Sequence, residues 1–186
     1  MAIYVGARDL SGLAIGTHQF IVITFENPTP PLQIGLKKVA AKPLGRGVRG
    51  IVIGAQNRGK LVAEFHEKGD LTAAMEYFGG VETNWHTSDY DAQLIEVGYG
   101  NLPEQEAKRR VINLIGNYIL NQTVDPIKYP TAGFGVNSNS WVQSVIEYSG
   151  GNVDGDMKGF DISNSKRVPR TYFMPFCPVA PRVKVN

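Results

Sequence analysis

The stretch THQFIVITFENPTPP, residues 17–31, sets the fold class. Its run HQFIVITF at 18–25 is dense in β-branched and aromatic side chains, and Pro28, Pro30 and Pro31 forbid its continuation as a strand. It reads as a core strand. Downstream, RGIVIGAQNRGKLVAEFHEKGD at 49–70 predicts a hairpin, with strands at 51–53 and 61–65 around a turn at Asn57, Arg58 and Gly59. Asp70 is expected to cap a short helix at 71–78 that Gly79 and Gly80 stop, and DAQLIEVGYG at 91–100 predicts a further strand.

Helical spacing is clearest at 103–120, PEQEAKRRVINLIGNYIL, where Ala107, Val111, Leu114, Ile115 and Tyr118 recur on one face. Asn101 is a candidate cap, Pro103 opens the helix, and Glu104 and Glu106 suit its positive end. A second helix is predicted at 139–148, with Val142, Val145 and Ile146 as its buried stripe and Gly150-Gly151 as its end. The tail, 151–186, holds one expected strand, RTYFMPF, and is a candidate C-terminal arm. Taken together, residues 1–186 predict one α+β domain, an antiparallel sheet packed on helices. The 21 glycines and 11 prolines are spread along the chain, as many turns between strands require.

Composition excludes several functions. The net charge is only +2, and no basic stripe carries interleaved aromatics, so nucleic acid is not an expected partner. Lys108, Arg109 and Arg110 read as a solvated helix face beside Glu104 and Glu106. The single cysteine, Cys177, rules out an intramolecular disulfide and a multi-cysteine zinc site, and reads as a small buried apolar residue. No segment approaches the roughly 20 apolar residues of a membrane span, and the N-terminus lacks a signal-peptide pattern. The expectation is a soluble chain, cytoplasmic or exported by a signal-independent route.

GRGVRG at 45–50 matches GxGxxG, but a strand follows it where the dinucleotide motif needs a helix, so it reads as a loop entering a hairpin. His18, His66 and His86 show no metal-ligand spacing, and neither a metal nor a cofactor is expected. His66 and His86 lie in polar surroundings and read as surface residues. His18 is different, because it opens the most apolar strand of the chain.

The other unusual segment is GFGVNSNSWVQSVIEYSGG, 133–151. Asn137, Ser138, Asn139 and Ser140 are more polar side chains than one N-cap needs, and they sit where a helix start offers free N–H groups and a partial positive charge. That environment suits an oxyanion or an activated nucleophile.

A histidine opening an apolar strand, followed much later by Asn-Ser-Asn-Ser-Trp opening a helix, resembles the circularly permuted papain-like superfamily. That group includes the NlpC-type amidases, the PPPDE isopeptidases and the lecithin:retinol acyltransferase-like enzymes. The resemblance covers about forty residues: THQFIVI stands for the family's histidine strand, and residues 136–141 for its Asn-Asn-Cys-Asn-His-Phe. It departs at Val136, in place of the first Asn, and at Ser138, in place of the cysteine.

The resemblance implies a permuted papain-like fold, with Ser138 as nucleophile and His18 as base on an amide or ester substrate. Asn137 or Asn139 would assist the oxyanion or fix the turn. Gln56 and Glu64 are the candidates for orienting His18. A bacterial peptidoglycan peptide is the substrate it suggests, and a toxin effector a possible setting. Serine at the cysteine position fits a serine form of the mechanism, a disabled relative or a substituted cysteine. The competing reading is a silent papain-like module that binds a peptide, glycan or protein partner through Trp85, Trp141, Tyr172 and Phe173. A structural component of a larger assembly has only glycine richness behind it.

Overall fold

Strand β2 (Thr17–Phe25) is buried along its whole length, in a computed structural model that describes residues 2–9, 17–79, 92–131, 135–155 and 166–175. Its alternate residues feed two cores. Ile21, Ile23 and Phe25 join the apolar faces of helices α2 (Glu104–Val124) and α3 (Ser138–Ser149), while Phe20 and Val22 meet Ala73 and Ala74 of helix α1 (Lys68–Tyr77). A strand covered on both faces cannot alternate polar with apolar residues, which explains its unbroken apolar run.

The sheet is antiparallel throughout. Strand β1 (Ile3–Asp9) and strand β6 (Val48–Asn57) flank β2, and strand β8 (Ala92–Glu96) lies beyond β1. Strands β5 (Lys42–Gly45) and β7 (Leu61–Phe65) share the other edge of β6, completing six strands. Strands β3 (Leu32–Ile34) and β4 (Lys37–Val39) form a separate hairpin. The predicted α+β class with an antiparallel sheet is therefore the observed one. GRGVRG forms the β5–β6 turn itself: Arg46 and Gly47 have φ of 47° and 77°, the left-handed pair that a two-residue hairpin turn requires.

Four local expectations are corrected. Helix α1 starts earlier than predicted because Glu67, not Asp70, caps it: the Glu67 carboxylate accepts from Gly69 N at 2.7 Å and Asp70 N at 3.3 Å. Asp70 lies inside the first turn and is fully buried. Helix α2 begins after Pro103 with no side-chain cap, so Asn101 does not have that role. Lys108 does not lie on a solvated face; its ammonium turns inward to Thr24 O (2.9 Å) and Glu104 (3.0 Å), 5.2 Å from the Phe25 ring centre. Arg109 and Arg110 stay exposed on Glu106, as expected.

The fourth correction concerns RTYFMPF. Arg170–Phe173 form a 3-10 turn, because α2 satisfies their backbone. Asn117 donates to Phe173 O and Asn121 to the carbonyls of Tyr172 and Met174, each at 3.0 Å. Phe173 also stacks on Tyr118, with ring centres 5.4 Å apart. With its carbonyls met by side chains, the segment needs no strand neighbour. Among the described residues, no helix is long and apolar enough to cross a membrane.

Candidate functional site

Strands β2 and β6 stay paired only as far as Phe20 and Gly54, so the first residues of β2 leave one edge to something else. The Asn139 side chain takes that edge. Its Oδ1 accepts from Gln19 N at 2.8 Å, and its Nδ2 donates to Thr17 O at 3.0 Å. One amide thus imitates a strand partner and fixes the first turn of α3 to the backbone on either side of His18. The neighbouring contact between Gln143 Nε2 and Gln19 Oε1 (3.1 Å) holds the next turn to the same strand.

His18 and Phe20 alternate onto the α1 side of the sheet, where Asp70 waits. His18 Nε2 lies 3.1 Å from both Asp70 carboxylate oxygens, and both side chains are buried. Arg8 Nε donates to Asp70 Oδ1 at 2.8 Å, and Gln56 Nε2 to Asp70 Oδ2 at 2.7 Å while standing 3.1 Å from His18 Nε2. Arg8 also reaches Glu67, at 3.6 Å. Burial by itself would raise the Asp70 pKa, but His18 and Arg8 more than reverse it, so the carboxyl titrates below its ordinary value. An ionised Asp70 facing Nε2 demands a proton there. In the neutral ring that leaves the lone pair on Nδ1.

Gly54 makes this cluster possible. A Cβ on it would lie 2.6 Å from Asp70 Oδ2, 3.0 Å from His18 Nε2 and 3.2 Å from Gln56 Nε2. Its φ is not positive, so the backbone itself accepts alanine and the cost is steric. Gly54→Ala is expected to lose about 1–3 kcal/mol, the usual cost of overpacking a buried site. Equilibrium denaturation checks this, and unchanged stability would mean that the cluster yields without cost.

The polar run at the start of α3 now divides by task. Asn137 is the N-cap: its Oδ1 accepts from Ser140 N (3.0 Å) and Ser140 Oγ (3.2 Å). Asn139 is the clamp. Ser140 is fully buried under the cap. Among the described residues, the Ser138 hydroxyl makes a single 3.4 Å contact, to Asn139 Oδ1, and the residue is 5% exposed. Among the described residues, no hydrogen bond joins Ser138 to His18. As the first residue of α3, Ser138 has a backbone N–H without an intrahelical acceptor.

Of the two candidates for orienting His18, only Gln56 touches it. Glu64 instead accepts two bonds from Arg58, at 2.9 and 2.8 Å across the β6–β7 hairpin, and this pairing lowers its pKa. The partners that sequence reading missed are Asp70 and Arg8. His66 is half-buried rather than a surface residue, with Nε2 on Ala40 O at 3.0 Å. Trp141 and Phe173 are core residues, so the binding surface expected of them is not presented there. His86, Trp85 and Cys177 lie outside the described residues. Among the described residues, no group of three His, Cys, Asp or Glu side chains is placed to hold a metal. The chain matches no protein-family model, and no curated protein and no solved structure is significantly similar to it.

Proposed function

We propose that the chain is a hydrolase or acyltransferase of papain-like type, with Ser138 as nucleophile and His18 as general base, acting on an amide or ester. One observation carries the reading: the Asn139 clamp docks the start of α3 against both backbone neighbours of a histidine whose far nitrogen is pinned by a buried carboxylate. The arrangement suits a base, because the pinning selects the tautomer and the carboxylate stabilises the imidazolium formed during attack.

Serine, unlike cysteine, stays neutral before substrate arrives. In the proposed reaction Ser138 Oγ attacks the acyl carbon while its proton passes to His18 Nδ1. The carbonyl oxygen, now negative, sits by the first-turn N–H groups of α3, where the helix end favours negative charge. The bond to the leaving amine or alcohol then breaks and takes the proton from His18. Water or another acceptor releases the acyl group by the reverse sequence. Peptide amides such as those of peptidoglycan belong to the substrate class this chemistry serves. A toxin setting rests on the sequence resemblance alone.

The test is covalent. A fluorophosphonate should modify the folded protein at Ser138, as located by peptide mass mapping, and Ser138→Ala should abolish the adduct. Modification that persists in Ser138→Ala contradicts the proposal. No modification at all favours the silent binding module instead.

A further inference from the structure

Beside the proposed base stands a second cationic side chain. Arg8 and His18 are register partners on β1 and β2, so they lie side by side on the α1 face of the sheet, and both reach the one carboxylate of Asp70. We propose that Arg8 is a positioning residue of this site: by occupying the charge of Asp70 it keeps the His18 ring uncharged at neutral pH, with Nδ1 free to take a proton. The inference rests on the reading of His18 as the base.

Charge counting carries the argument. A guanidinium stays charged throughout the ordinary pH range. Arg8 Nε donates to Asp70 Oδ1 at 2.8 Å, and both side chains are buried. One carboxylate compensates one buried cation. A doubly protonated His18 would set a second cation directly opposite Arg8, and like charges opposite one another across a strand pair are destabilising. Asp70 alone would act the other way, since a carboxylate beside an imidazole favours its charged form.

The charged groups around the cluster are otherwise engaged. Glu67 lies 3.6 Å from Arg8 Nη2, but its carboxylate caps α1, accepting from Gly69 N and Asp70 N where the helix end is itself positive. Glu64, paired with Gly54 across β6 and β7, is held by both bonds from Arg58. Lys68 is exposed, and Asp9 alternates to the opposite face of β1. Against His18, β6 brings Gln56 and α3 brings Asn139, both uncharged.

Packing fixes Arg8 in this role. A Cβ on Gly69 would lie 2.8 Å from Arg8 Cζ and Nη2, so the guanidinium rests against the first turn of α1. Helix polarity disfavours a cation at that end, and Asp70 and Glu67 hold it there. Asp70 and Arg8 thus act on one ring in opposite senses. The carboxylate favours the imidazolium that forms during attack; the guanidinium opposes it beforehand, when a proton on Nδ1 would disable the base.

NMR of the histidine ring nitrogens in the full chain, with the His18 signal assigned by its loss in His18→Ala, reads the charge without any reaction. At neutral pH the parent ring should be uncharged, with its proton on Nε2. Arg8→Gln should raise the titration midpoint by about one pH unit or more, a roughly tenfold change in the proton equilibrium. Arg8→Lys keeps the charge and should stay near the parent. An imidazolium in the parent at neutral pH, a midpoint not raised in Arg8→Gln, or Arg8→Lys matching Arg8→Gln would each overturn the proposal. If Arg8→Gln does not fold by circular dichroism, the parent and Arg8→Lys spectra still decide, because both rings must be uncharged at neutral pH. Fluorophosphonate labelling should show the same change, its acid limb moving to higher pH in Arg8→Gln. Absence of labelling in the parent would count against acyl transfer and leave the ring spectra to judge Arg8.

Discussion

Asp70→Ala is expected to lose about 3–5 kcal/mol of stability, because removing one partner of a buried ion cluster leaves the other charge uncompensated. Arg8 would keep only Glu67, at 3.6 Å, as a charge partner and lose the acceptor at Nε, and His18 and Gln56 would each lose the carboxylate they face. Asp70→Asn keeps a hydrogen-bonding group of the same shape and should lose less. Urea denaturation measures both. The sign of the pH dependence follows from the depressed Asp70 pKa. A carboxyl that titrates lower in the folded than in the unfolded chain contributes fully above the unfolded value, about 4. That contribution is lost as pH falls through the folded value. The gap between parent and Asp70→Asn should therefore stand at neutral pH and close below about pH 4. A gap just as wide well below pH 4 would show that the carboxylate charge contributes nothing.

The larger kinetic effect belongs to His18. If Ser138 reacts with a fluorophosphonate, His18→Ala should slow that reaction by roughly 10²–10⁴-fold, the usual contribution of a positioned general base. Ser138→Ala should remove the reaction altogether. Their combination should be no worse than Ser138→Ala alone, since a base has no task without the hydroxyl it serves. Gln56→Ala separates positioning from packing. Gln56 is only partly buried, so the fold should survive, while the carboxylate that aligns the imidazole loses one of its donors. A His18→Ala protein that reacts at the parent rate would remove the imidazole from the mechanism.

Much of the sheet was legible because its strands carry their own signals. The apolar run of β2, the turn residues between β6 and β7, and the stripe on α3 are local patterns, and each element formed where it was expected. Strand β1 was not read. Its Gly6, Ala7 and Arg8 resemble a loop until β2 and β8 pair with them on both sides. Lys108 misled for a related reason: a lysine between acids and arginines reads as solvated, and only the fold brings Thr24 O and the Phe25 ring to it.

The candidate site was legible in the same uneven way. His18 stood out because a polar side chain opening an otherwise apolar strand is conspicuous. Asp70 did not, since an acid before an apolar helical stretch has the signature of an N-cap, and its true partner is 52 residues away. Glu64 and Gln56 were both candidates for orienting His18, and what separates them is Arg58 in the intervening turn, which captures the Glu64 carboxylate. Among the four polar residues at the start of α3, residue type could not distinguish cap from clamp; the bonds of Asn137 to Ser140 and of Asn139 to β2 do so.

The relation between Ser138 and His18 can be measured without any substrate. In a Cys177→Ala background, a Ser138→Cys thiol can be titrated by its thiolate ultraviolet absorbance, with and without His18→Ala. A thiol at a helix start beside an imidazole should ionise near or below pH ~7, and His18→Ala should return it toward the free value of about 8.5. A thiol that ionises at or above the free value, unchanged by loss of the imidazole, would contradict the pairing on which the proposed chemistry rests.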